Sequence, residues 1–197
     1  MERRSVALTE LRTLEDTDNP RRLRGMAVVY DSPADIAGVF TERIAPGALS
    51  NWLRSGENVR LLYEHQGSAH LASTQAGTLT LRDTDAGLMF EATVAATTVG
   101  NDVLQLVRSG ELKNCSFAYL PTKEGETWTK ENDTLTRTIT DVEIMPEITL
   151  TSNPAFDATH VMQRSVSADT LAHAKALAAM PTLAERTRQL RELQLHH

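Results

Sequence analysis

Three short runs of this chain each carry one side chain of a type that hydrolytic chemistry uses. Leu61-Leu62-Tyr63-Glu64-His65 ends in a histidine, Asn114-Cys115-Ser116-Phe117-Ala118-Tyr119 carries a serine, and Glu147-Ile148-Thr149-Leu150-Thr151 opens on a carboxylate. An imidazole can take a proton near neutral pH, and a serine hydroxyl becomes a useful nucleophile only with such a base beside it. A carboxylate can hold that imidazole in one tautomer and stabilise its charged form. The chain order is His65, Ser116, Glu147, and no glycine flanks Ser116, which excludes the Gly-x-Ser-x-Gly elbow.

Side chains alternate faces along a strand, so Cys115, Phe117 and Tyr119 share one face and Asn114, Ser116 and Ala118 the other. The aromatic face is the natural core face, and Ser116 is expected to point away from the core, toward the outside. By the same rule Ile148 and Leu150 turn inward and leave Glu147, Thr149 and Thr151 opposite. Ser116 and Glu147 thus both fall on non-core faces, where a site can form across neighbouring strands. Parity alone does not make that site catalytic, because most outward serines are solvated and most strand-end histidines are structural. Cys115 is a rival nucleophile, but its place beside Phe117 is that of a buried, inert thiol. Glu64, His65, His70 and Glu147 offer nitrogen and oxygen ligands, yet the two histidines match neither the helical i, i+4 pair nor a finger pattern. No metal site and no cofactor is expected, and the glycines form no phosphate-binding loop.

The elements that must position these groups are mostly strands. Residues 5–14 alternate loosely before the turn Asp16-Thr17-Asp18-Asn19-Pro20, and Gly25 to Tyr30 and Val39 to Ile44 are apolar runs closed by turn residues. Ala48, Leu49, Trp52 and Leu53 fall at helical spacing before Gly56, as do Val99, Val103, Leu106 and Val107 before Gly110. Val59 to Tyr63 reads as a buried strand, and Thr78 to Leu81 with Leu88 to Val94 as a hairpin. Strands around 113–120 and 135–144 flank a polar segment, 121–133, and a last strand covers 147–152. About nine strands with hairpin-style connections predict a mainly β fold with a few helices, an antiparallel barrel or sandwich. Residues 1–165 form the β domain. Residues 166–197 are an Ala-, Leu- and Arg-rich tail, expected to be a helical or flexible appendage outside the β core and divided by Pro181.

The chain of 197 residues has a formal charge of −6 and a pI near 5.5, which argues against a protein built to bind nucleic-acid phosphates. Basic residues gather at Arg3-Arg4, at Arg21, Arg22 and Arg24, and at Arg186, Arg188 and Arg191, each read as a solvated surface. A single cysteine leaves no intramolecular disulfide and suits a reducing compartment. No apolar run reaches the roughly 18 residues of a membrane span, and no secretory signal is present, so a cytoplasmic protein is expected. His196-His197 reads equally as native sequence or as the remnant of a tag.

Taken in order, seven segments resemble the phage prohead, or capsid maturation, proteases, a family similar in fold to the herpesvirus assemblins. They are Arg24 to Tyr30, Glu42 to Leu49, Val59 to His65, Gly87-Leu88, Val107 to Leu112, Cys115 to Tyr119, and Glu147 to Leu150 with Asn153-Pro154-Ala155. The likeness spans residues 5–165 and implies an antiparallel β-barrel of the assemblin and prohead-protease type. It places His65 on the family's catalytic histidine and Ser116 on its nucleophile. Assemblins use a second histidine as third member; here Glu147 is the candidate, with Asp141 and Glu143 behind it. Ala118, and the run Ala72-Ser73-Thr74, stand where the family often has glycine, a departure that bears on the oxyanion pocket. The resemblance implies a serine endopeptidase that enters the assembling procapsid in the host cytoplasm. There it would cut the scaffolding region of the major capsid protein, and also itself. Self-association follows by analogy with assemblin dimers, and the tail would suit a targeting or self-cleaved segment. The alternative is a catalytically silent scaffold or capsid-assembly module on the same fold.

Overall fold

In the computed structural model, residues 2–7, 11–13, 19–131, 134–152 and 166–181 are described. In chain order the strands before the second helix are β1 (Glu2–Ala7), β2 (Arg12–Thr13), β3 (Arg22–Val29), β4 (Ala34–Ile36), β5 (Phe40–Ile44), β6 (Arg60–Tyr63), β7 (Gln66–Ser73), β8 (Leu79–Thr84) and β9 (Gly87–Thr93). After it come β10 (Asn114–Pro121), β11 (Glu126–Glu131), β12 (Thr134–Ile139) and β13 (Val142–Thr151). The helices are α1 (Ser50–Ser55), α2 (Thr98–Arg108) and α3 (Ala168–Ala178). The strands form three sheets, ordered β1-β10-β13-β6-β7, β11-β12-β5-β4 and β2-β3-β9-β8.

The described residues are therefore mainly β with three short helices, as the periodicities predict. Two features differ from the expected antiparallel barrel. The pairs β12–β5 and β13–β6 are parallel, each requiring a long crossover instead of a hairpin. The three sheets are open, and no closed ring of strands forms among the described residues.

One apolar core joins the first and third sheets to α1 and α2. Leu23, Val28, Leu88 and Phe90 come from the third sheet, and Leu61, Phe117, Tyr119, Ile148 and Leu150 from the first. Trp52 of α1 and Val103, Leu104 and Val107 of α2 close it. The α2 helix starts where the Thr97 hydroxyl accepts the Gly100 N–H at 3.0 Å, and its buried residues recur at helical spacing. Gly100 is obligatory there, because a Cβ would sit 2.1 Å from the Ala95 carbonyl oxygen.

The second sheet carries a smaller core of Ile36, Phe40 and Leu135, and α3 packs on it with Ala174 fully buried. Trp128 lies between, its ring centroid 4.9 Å from Phe40 and 5.6 Å from His173. Lys130 Nζ caps the helix by donating to the Ala178 and Met180 carbonyls. This corrects the expectation of an appendage outside the β core: the first half of the tail is docked. The expected second helix after Pro181 lies outside the described residues. The polar segment 121–133 also differs from its reading, because it contains β11. That strand alternates correctly but carries one apolar residue, Trp128, too few for hydrophobic periodicity to reveal it. No helix among the described residues is long and apolar enough to cross a membrane.

Candidate active site

The candidate groups gather on the face of the first sheet opposite the main core. In the ladder, Ser116 of β10 is paired with Thr149 of β13, which is paired in turn with Leu62 of β6. Glu147 is paired with Ala118, so Ser116 and Glu147 are diagonal neighbours on one face, about 7–8 Å apart at Cα. Beyond this pair β13 bulges. Ala118 pairs with Glu147 and Leu120 with Ile144, so three steps on β13 oppose two on β10, and Pro146 sits within the extra length. Met145 faces the core on one side of the bulge, Ile148 and Leu150 on the other, and Glu147 is left on the site face.

His65 reaches this face from a tight turn. Tyr63 and Gln66 pair across β6 and β7, leaving Glu64 and His65 as a two-residue loop with φ of 48° and 56°. Positive φ at both central residues is the pattern of a type I′ hairpin, which favours Asn-Gly. Two non-glycine residues there are strained by roughly 1–3 kcal/mol each, a cost that persists only where the surroundings enforce it. The enforcement is visible. The Glu64 carboxylate accepts the Thr151 hydroxyl at 2.8 Å, the Ser152 N–H at 2.7 Å and the Ser152 hydroxyl at 2.8 Å, while the Glu64 N–H donates to the Leu150 carbonyl. Burial alone would raise the Glu64 pKa, but these donors and the nearby His65 outweigh it and hold it below the usual value. So anchored, the imidazole bends back along β13, and His65 Nδ1 lies 2.9 Å from Glu147 Oε1. Glu147 Oε2 faces Arg60 at 3.9 Å, a loose contact with a half-exposed guanidinium.

Ser116 departs from its expected exposure. It stands on the non-core face, as parity requires, but is only 2 % exposed, and Asn114 and Ala118 on that face are buried too. Its hydroxyl donates to the Arg4 carbonyl of β1 at 2.9 Å, and no hydrogen bond joins it to His65. Thr149, paired with Ser116, is fully buried with an Oγ1 that has no partner among the described residues. Of the other candidates, Asp141 accepts from Asn51, Glu143 is exposed, and neither meets His65. Burial pushes the Cys115 thiol up to about 12, which leaves it inert as parity predicts. Glu64, His65, His70 and Glu147 do not converge, and no group of three or more metal-ligating side chains occurs among the described residues.

Sequence reasoning missed a second cluster of charges on the neighbouring elements. Arg4, expected to be a solvated surface residue, is 6 % exposed and pairs with Glu42 and Glu2. Arg137, 1 % exposed, reaches Glu2 at 2.6 Å, Glu42 at 2.9 Å and Glu126, and the Tyr119 hydroxyl donates to Glu42 at 2.7 Å. Burial would raise the Glu42 pKa, but Arg4 and Arg137 hold it below its usual range. Arg21 is not loose surface charge either, since it donates to Val94 O and Asn101 Oδ1, and Arg22 and Arg24 pair with Glu91. Arg186, Arg188 and Arg191 lie outside the described residues.

A mainly β protein with a histidine–carboxylate pair and a serine on one sheet face has the parts of a serine peptidase. The family model of the caudovirus prohead serine protease matches residues 8–175, and the chain belongs to that family. It is a serine peptidase of phage prohead maturation, whose place of action is the assembling procapsid. Among curated proteins none matches the chain.

Proposed function

We propose that Ser116 is the nucleophile, His65 the general base and Glu147 the residue that orients it. The observation that carries this reading is the 2.9 Å approach of His65 Nδ1 to Glu147 Oε1 on the face that bears Ser116. With a proton on Nδ1 shared toward Glu147, Nε2 is the lone pair that takes the Ser116 proton as Oγ attacks the scissile carbonyl. His65 then returns that proton to the leaving amine, and water hydrolyses the acyl-enzyme by the same relay. The substrate is the scaffolding region of the phage major capsid protein, and the chain also cleaves itself. The fold is of the assemblin type, and the active species is self-associated. Family membership and the likeness to assemblins support these parts.

Co-expression with the capsid protein and intact-mass analysis tests the reading. Wild type should yield capsid fragments that Ser116→Ala and His65→Ala both fail to produce. Identical fragments in all three would overturn the mechanism. One observation favours the rival, a catalytically silent assembly module: the Ser116 hydroxyl is buried and bonded to Arg4 rather than to a base. Uncut capsid protein with the wild-type chain would establish that rival.

A further inference from the structure

The contact that favours the rival also suggests how an active enzyme is held in check. β1 is the outermost strand of the first sheet and runs antiparallel along β10, with Ser5 paired with Ser116 and Arg4 with Phe117. It therefore fills the edge of the strand that carries the nucleophile, the place where another extended peptide would add. Through the Arg4 carbonyl it also takes the Ser116 hydroxyl hydrogen bond that general-base catalysis needs directed at His65.

Side chains latch β1 in that position. Arg4 and Glu2, two residues apart, both turn into the buried cluster of Glu42, Arg137 and Tyr119, which belong to β5, β12 and β10. Glu2 is further tied to Thr170 at the start of α3. An edge strand is ordinarily among the first elements to open. This one is fastened by charge pairs that are 1–6 % exposed and so little weakened by solvent.

We propose that β1 is an exchangeable strap: it occupies the β10 edge and the Ser116 hydroxyl in the resting enzyme, and must leave before the nucleophile can engage His65. This rests on Ser116 being the nucleophile. Release needs no bond to break other than hydrogen bonds and ion pairs, and the occupant that displaces β1 is a second extended peptide with its own backbone donors and acceptors.

The ladder supplies its own test. Val6 is paired with Cys115, the chain's single cysteine, so Val6→Cys puts two cysteines at opposed positions about 4.5–5.5 Å apart at Cα, within disulfide reach. The probe is a fluorophosphonate, which phosphonylates an activated serine with loss of fluoride and without needing the natural substrate, with the Ser116 peptide read by mass spectrometry. Oxidised Val6→Cys should label at least about tenfold more slowly than the same protein after reduction, because the competent population falls. Arg4→Ala, which loosens the latch without a crosslink, should label about tenfold faster than wild type. Equal labelling of oxidised and reduced Val6→Cys, with the disulfide confirmed by mass, would overturn the strap and leave the nucleophile standing. If no crosslink forms, Arg4→Ala decides, and an unchanged or slower rate overturns it. Absence of label on Ser116 in every form would overturn the nucleophile assignment, and the strap with it.

Discussion

Two carboxylates of this protein, Glu147 and Glu42, each face a basic side chain, and they are built for opposite ends. Glu42 is 2 % exposed and meets Arg4, Arg137 and Tyr119, so its oxygens are saturated by groups that do not give up protons at working pH. Such a site can hold elements together and can transfer nothing. Glu147 is buried too, at 8 % exposed, but its partner is His65, whose side chain is 23 % exposed. The difference lies in the partner. A guanidinium locks a carboxylate, whereas an imidazole passes its charge on. The strand β10 touches both sites, with Tyr119 on its core face at the Glu42 cluster and Ser116 on the other face near Glu147.

Four measurements separate the two carboxylates and the groups around them. Glu147→Gln should lower the acylation rate by about 10³–10⁴-fold with little change in the urea midpoint, as expected when an orienting carboxylate is lost. Stopped-flow labelling and urea titration measure the two, and an unchanged rate would return Glu147 to a structural role. Glu42→Gln should do the reverse in stability, costing about 3–5 kcal/mol because the buried Arg4 and Arg137 lose one of the carboxylates that neutralise them. A midpoint equal to wild type would show that the cluster is hydrated. Thr149→Val removes the buried hydroxyl that has no partner among the described residues and should raise stability by about 1 kcal/mol. Urea unfolding decides this, and a loss of stability means that Oγ1 is satisfied after all. The smallest effect concerns pH. The Glu64 carboxyl is held below its ordinary value of 4.5, so the turn gains stability from it above that pH and loses it as pH falls through the lower, folded value. Hydrogen exchange at the Ser152 amide should accelerate there in wild type and be insensitive in Glu64→Gln.

Much of the site was legible from residue types. Parity correctly put Cys115 with Phe117 and Tyr119 in the core and Ser116 and Glu147 on the other face. What parity could not supply was what lies over that face, so Ser116 was expected in solvent and is buried. The strand β7 went unread because Gln66-Gly67-Ser68 at its start is polar and the turn before it, Glu64-His65, lacks the glycine or asparagine that marks a hairpin. The same blindness applies to Arg4 and Arg137. A charged residue is presumed exposed until its partner is known, and their partners lie 38 and 95 residues away at Glu42.

Residue order is enough to read most strand and helix periods, the core face of β10 and the candidacy of His65, Ser116 and Glu147. Those depend on alternation and on side-chain chemistry, which are local. That His65 meets Glu147, that β13 bulges at Pro146 and that β1 lies along Ser116 emerges from the folded chain alone. Each of these is a register between segments far apart in the chain, and register is fixed by backbone pairing and shared burial, which no single segment contains.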